Sequence, residues 1–152
     1  MNAETQLTSF IGKFDAKDQR LIREVRKAVR RRFTGAWELV YDNYNFFVIG
    51  YSPTERPSDS IVSIAARAGS VGLCFIRGAA LPDPEKLLSG SGNQTRFIRL
   101  DSAGVLARPG VEALIASAIA RARAPLPPPR RGRLIIRSVS AKQRPRRKPS
   151  KP

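Results

Sequence analysis

Apolar residues recur at helical spacing in two stretches near the start of the chain. Leu7, Phe10 and Ile11 mark a short helical piece, and Leu21, Ile22, Val25, Ala28 and Val29 line one face of a longer helix. Asp15 is the expected N-cap of the longer helix, which runs over 15–32, and acid in the first turn suits the helix dipole. At about 100° per residue, Arg20, Arg23, Lys27, Arg30 and Arg31 gather on the opposite face, so the helix buries an aliphatic stripe and shows solvent a cationic one.

After Gly35 the pattern changes to aromatic and β-branched runs broken by turn residues, which predicts strands over 37–41, 46–51, 61–67, 71–76 and 96–100. Asp42-Asn43 and Ala68-Gly69-Ser70 suit tight hairpins, and short connections imply antiparallel neighbours. Both faces of the second strand are apolar, with Phe46 and Val48 alternating with Phe47, Ile49 and Tyr51. The sheet centre is therefore either covered on both sides or leaves one apolar face as a groove. Ser63, Ala65, Gly72 and Cys74 form a small-residue floor, expected to lie under a closely packed helix and otherwise suited to a ligand. Asp83 before Pro84 predicts the start of a further helix, Ser89-Gly90-Ser91-Gly92 a flexible turn, and Val111, Leu114, Ile115, Ala118 and Ile119 a last helix over 109–123. The fold class is α+β: an antiparallel sheet of about five strands with N-terminal and C-terminal helices packed against it.

Charge divides the 152-residue chain in two. Residues 1–124 hold 18 basic and 12 acidic residues, whereas residues 125–152 hold ten basic residues, no acid and seven of the twelve prolines. The second segment reads as a Pro/Arg-rich arm, mostly extended or disordered, following a single domain over 1–124. Leu134, Ile135, Ile136 and Val139 leave open the alternative of a short strand docked on the body. Absence of histidine removes Ser-His-Asp and Cys-His catalysis and every His-containing metal site. Cys74 alone makes neither an internal disulfide nor a thiolate zinc site, and its apolar strand neighbours mark an inert thiol. The glycine-rich turn has no Lys-Ser/Thr at phosphate-loop spacing. No catalytic residue, metal site or cofactor is predicted. Residues 1–14 hold no apolar run of signal-peptide length and no stretch is long enough to span a bilayer, so the expected location is cytoplasmic, with no membrane partner.

The run Gly72-Leu73-Cys74-Phe75-Ile76-Arg77-Gly78-Ala79-Ala80-Leu81-Pro82-Asp83-Pro84, with Leu87-Leu88-Ser89-Gly90-Ser91-Gly92 and Arg96-Phe97-Ile98-Arg99-Leu100, resembles the signature of the YdhG-like bacterial domain-of-unknown-function family over about residues 5–123. Within Glu38-Leu39-Val40-Tyr41-Asp42-Asn43-Tyr44-Asn45 the family's Gly-x-Pro is replaced. The resemblance implies an α+β fold, and one branch of the family is described as a frataxin-like intracellular iron chaperone. Labile iron needs exposed oxygen ligands and a negative field. Here residues 13–32 hold nine basic and three acidic residues, and Asp42, Asp83, Glu85 and Asp101 are scattered, so no metal site is expected.

Two functional classes remain. The first is a non-enzymatic binding or accessory module whose apolar sheet-face groove, drawn from Trp37, Tyr44, Phe46 and Phe75 with Arg77 at its rim, takes a small molecule or a protein. The alternative is a nucleic-acid-associated protein that grips phosphates weakly and without reading bases. Its contacts would be the tail residues Arg130, Arg131, Arg133, Arg137, Lys142, Arg144, Arg146, Arg147, Lys148 and Lys151, with Arg20, Arg23 and Lys27 on the helix.

Overall fold

The computed structural model describes residues 2–130 and 133–149. Two helices open the chain, α1 (Ala3–Gly12) and α2 (Ala16–Arg32), and both start on a side-chain cap: Asn2 Oδ1 accepts from Thr5 N and Asp15 Oδ1 from Asp18 N, each at 2.9 Å. Five strands come next, β1 (Trp37–Asp42), β2 (Phe47–Ser52), β3 (Val62–Arg67), β4 (Ser70–Phe75) and β5 (Arg96–Arg99). The chain then forms α3 (Pro109–Ala120) and β6 (Leu134–Val139). The six strands make one sheet in the order β5-β4-β3-β2-β1-β6, antiparallel except where β6 runs parallel to β1. The protein is α+β.

Strand alternation sends one residue set towards the helices. Register aligns Val40, Ile49, Ile64, Leu73 and Ile98 across five strands, and these join Phe47, Tyr51 and Phe75 in the core. Against them lie Leu7, Phe10 and Ile11 of α1, Ile22, Val25 and Val29 of α2, and Val111, Leu114 and Ile115 of α3. Phe10 and Phe14 tilt onto Phe47, with ring centroids 6.3 and 6.0 Å apart. Each such side chain removed from water is worth about 1.5–3 kcal/mol, so this single layer of helices on one sheet face carries most of the folding free energy.

Two expectations are corrected. Asp83 and Pro84 start no helix: Asp83 accepts from Leu87 N and Leu88 N, and Lys86 adopts a positive φ of 54°, which turns the chain away before helical hydrogen bonds can propagate. The tail is not an extended arm over 134–139 but the sixth strand, because pairing with β1 satisfies the backbone groups on its inner edge and half-buries Leu134, Ile135 and Ile136.

The segment beyond β6 is fastened too. Arg146 is 4% exposed and its Nη2 donates to Asp42 Oδ1 at 3.0 Å and to the Asn43 carbonyl at 2.5 Å. Asp42, fully buried at the end of β1, also takes Lys13 Nζ on Oδ2 at 2.6 Å. Gln143 Nε2 donates to the Asp42 carbonyl, and Arg147 Nε to that of Lys13. Removing one partner of a buried pair leaves the other charge without compensation. Because Lys13 stays on Asp42, and Arg146 Nε and Nη1 have no partner among the described residues, Arg146→Ala is expected to cost about 3 kcal/mol, the lower end of the range for buried pairs. Arg147→Ala, at an exposed side chain, should stay within about 0.5 kcal/mol. Urea unfolding followed by circular dichroism separates the two; equal losses would show that Asp42 does not hold the tail.

Candidate functional site

The face of the sheet away from the helices is where the remaining strand side chains fall. Register places Phe46 beside Arg67 and Ser70; one step along, Tyr41, Val48, Ala65, Gly72 and Arg99 form a row; the next row is Ile135, Leu39, Gly50, Ser63, Cys74 and Phe97. Ser63, Ala65, Gly72 and Cys74 do form one floor, but no helix covers it among the described residues, which corrects the expectation of helix packing. The loop over 53–60 folds back on this face, where Ser60 Oγ lies near Gly50. Small side chains in the centre keep the floor low, while Phe46 and Phe97 stand 40% and 43% exposed at its sides.

Charge is sorted between the two faces. The acids of the strands, Glu38 and Asp42, point to the helix side and are neutralised there. Glu38 is gripped by Arg26 through Nε at 3.0 Å and Nη2 at 2.9 Å, and accepts from the Tyr51 hydroxyl at 2.7 Å. The arginines Arg67 and Arg99 fall on the open side. At the start of β1 the Arg133 guanidinium lies 5.6 Å from the Trp37 ring.

At the β3–β4 turn the open face runs into a cleft of about 710 Å³. Arg67 and Arg99 line it from the sheet and Arg144, Arg147 and Lys148 from the tail, with Phe46, Asn45 and Ser70 between them and no carboxylate among the described residues of its walls. Gly69, with φ 72°, makes the turn, and Asp18 Oδ2 accepts its N–H at 2.9 Å, which fixes the turn against α2. The Arg67 guanidinium lies over the Phe46 ring, 5.8 Å from its centroid, and that of Arg144 over Tyr44 at 5.5 Å, so each aromatic has a cation over one face.

The sequence-predicted groove residues do not converge. Phe46 lines this cleft, Tyr44 lies beside it under Arg144, and Trp37 lies under Arg133. Phe75 is fully buried and lines, with Arg77, Leu81, Ala118 and Arg121, a separate cavity of about 260 Å³ between the end of β4 and α3. Of the predicted polyanion contacts, Arg144, Arg147 and Lys148 meet in the cleft. Arg146 is corrected to a buried structural cation, because Asp42 takes its charge. Arg133 is half-buried, donating to the Gly35 and Pro128 carbonyls, and Arg130 lines a cleft beside Glu38. Lys142 is exposed and lines none of these cavities, and Arg131 and Lys151 lie outside the described residues. Arg20, Arg23 and Lys27 are exposed on α2, on the other side of the sheet. Arg67, Arg99 and Phe97 escape the sequence prediction, although the alternation Arg96-Phe97-Ile98-Arg99-Leu100 already places Phe97 and Arg99 on one face and Ile98 and Leu100 on the other.

Among the described residues no three His, Cys, Asp or Glu side chains converge as metal ligands. Asp42 is committed to Lys13 and Arg146, and Asp83 to its turn. Burial pushes the Cys74 thiol above its ordinary range, against a hydrogen bond from Ser63. No described helix is long and apolar enough to cross a membrane. No family model, curated protein or solved structure matches this chain.

Tyr51 gives the site's scaffold a pH dependence. Complete burial, and then the Glu38 carboxylate beside it, hold the phenol well above the usual tyrosine range. In the unfolded chain it ionises near pH 10, so between that pH and the higher folded value the native state retains a proton the unfolded state has lost. Stability is therefore full below pH 10 and falls above it. Tyr51→Phe is expected to lose about 1–2 kcal/mol at pH 8, where Glu38 loses a donor, and to fall less steeply than wild type between pH 9.5 and 11. Denaturant unfolding across that range checks this; parallel curves would contradict it.

Proposed function

We propose that this protein is a non-enzymatic nucleic-acid-binding module that takes the phosphate backbone in the cleft of Arg67, Arg99, Arg144, Arg147 and Lys148. The carrying observation is that five cations from distant parts of the chain are brought into one open cleft with no carboxylate among them. Asp15, Asp18 and Asp101 line a smaller adjoining cavity that shares Arg99 and Lys148 with the cleft, and Asp42 is buried and already paired, so the acids stand beside the cleft and its own walls stay cationic. Side chains on a fixed sheet and a fastened tail present a pre-formed track for a polyanion, and each phosphate contact releases condensed counterions. An intracellular role suits such a partner.

The alternative reading of a small-molecule module has its own place, the cavity lined by Arg77 and Arg121. Its small size suits a compact ligand, but its walls bring together two cations against the cleft's five. Iron delivery finds less support, since the open face and the cleft both carry positive field.

If five cations meet phosphates, the log–log slope of affinity for a 20-nucleotide DNA strand against salt should be about −3.5, from about 0.7 counterion per contact. The triple variant Arg67→Gln, Arg147→Gln, Lys148→Gln should flatten the slope to about −1.5 and weaken binding at low salt. Changing Arg20, Arg23 and Lys27 to Gln should leave it nearly unchanged, because those side chains lie across the sheet from the cleft. Anisotropy titrations at several salt concentrations measure both. Equal slopes for the two triple variants would refute the cleft as the binding site.

A further inference from the structure

We infer that the open sheet face makes this protein selective for single-stranded nucleic acid, with bases stacking on Phe97 and Phe46 while the adjoining cleft holds phosphates. The inference rests on the proposed phosphate-binding cleft and extends it from a charge to a substrate class.

Phe46 and Phe97 bracket the floor. Three strand spacings separate β2 from β5, about 14 Å, and the two rings lie two pleat repeats apart along the strands, about 13 Å. Between them lie the half-buried Ala65, Gly72 and Cys74, none of which rises high enough to keep a flat base off the sheet, while Ser63 beside them is already buried. Phe97 is held firmly for a residue on the outermost strand: its N–H donates to the Ser89 carbonyl at 2.9 Å and its carbonyl accepts from Ser89 N at 2.8 Å. A large ring left 43% exposed on such a fixed backbone is a stacking surface prepared in advance.

Only an unpaired strand can use it. In a duplex the base faces are stacked on one another and reach neither ring, so a duplex is limited to its phosphates in the cleft. The charged strand residues on this face are arginines, which supply phosphate contacts and stack on bases themselves. The same sign of charge argues against a second copy of this chain as the occupant, since a two-fold contact would set arginine against arginine.

The test uses the full chain with fluorescein-labelled dT12, rU12 and a 12-base-pair duplex, on wild type, Phe97→Ala and Phe97→Trp. Phe97 is exposed, so loss of its ring should leave the fold intact, which circular dichroism checks. Wild type should bind at least one of the two strands more tightly than the duplex, the comparison of dT12 with rU12 telling which sugar is preferred. Phe97→Ala should weaken that strand on the order of tenfold and the duplex less than twofold, and Phe97→Trp should retain strand binding. If Phe97→Ala leaves strand binding unchanged, or strand and duplex weaken alike, the stacking inference falls while the cleft reading stands on its salt slope. A dimer in wild type that Phe97→Ala dissolves would overturn it in favour of a contact between copies. Absence of binding to all three probes at low salt would overturn both readings.

Discussion

A single buried carboxylate, Asp42, sets where three distant parts of the chain meet. It ends β1, holds Lys13 from the close of α1 on one oxygen and Arg146 from the tail on the other, and is shielded from water altogether. An ionised carboxylate in that position is tolerable only with compensating charge and donors. Each of its partners is thus required, and each brings a segment with it. Through Lys13 it fixes the end of α1 over the sheet; through Arg146 it fixes the direction in which the tail leaves β6. Arg144, Arg147 and Lys148, on either side of the fastened arginine, are thereby aimed at the β3–β4 turn.

The same economy governs the sheet as a whole. Its two acids lie on the helix-covered side, each matched by cations on the helices or the tail, and the side left to solvent carries arginine, aromatic and small residues. Had Glu38 or Asp42 faced outward, the positive field over the floor would be broken at its centre. Burial of the acids costs desolvation, which the bidentate Arg26 and the Tyr51 hydroxyl offset at Glu38. Of the basic residues behind the net charge of +16, five meet in the cleft, whose own walls carry no carboxylate among the described residues.

Local pattern carries the first five strands and the long helix, because alternation, caps and short hairpins are properties of adjacent residues. The sixth strand is only an alternative at the level of sequence, for two physical reasons. Its partner β1 is remote in sequence, and its flanks are proline-rich and without acid, a composition that by itself does not fold. Arg146 resembles its neighbours, since nothing near it announces a buried carboxylate; the acid that claims it lies 104 residues earlier. Charges of the candidate site are legible as tail residues, but their companions Arg67 and Arg99 read as strand ends until register puts them beside the tail. Trp37 and Phe75 stand out as aromatics, though only exposure distinguishes a ring that packs from one that can bind.

Parallel pairing of β6 with β1 also imposes an order of assembly. Antiparallel hairpins from β1 to β4 close over a few residues, whereas the outermost pair closes a loop of about a hundred, at an entropic cost that grows with the logarithm of its length. The helix-backed sheet can form early, and the cationic cleft only when residues through Lys148 have joined it. During synthesis, at roughly 5–20 residues per second, about 1.5 to 6 s separate the end of α3 from Lys148, and for that time the residues of the core precede the tail that is fastened to them. In that interval Asp42 has Lys13 but not Arg146, and the tail's cations are free of the sheet. Completion of the helix-backed core and completion of the cationic cleft are thus separate events in time, linked by one arginine.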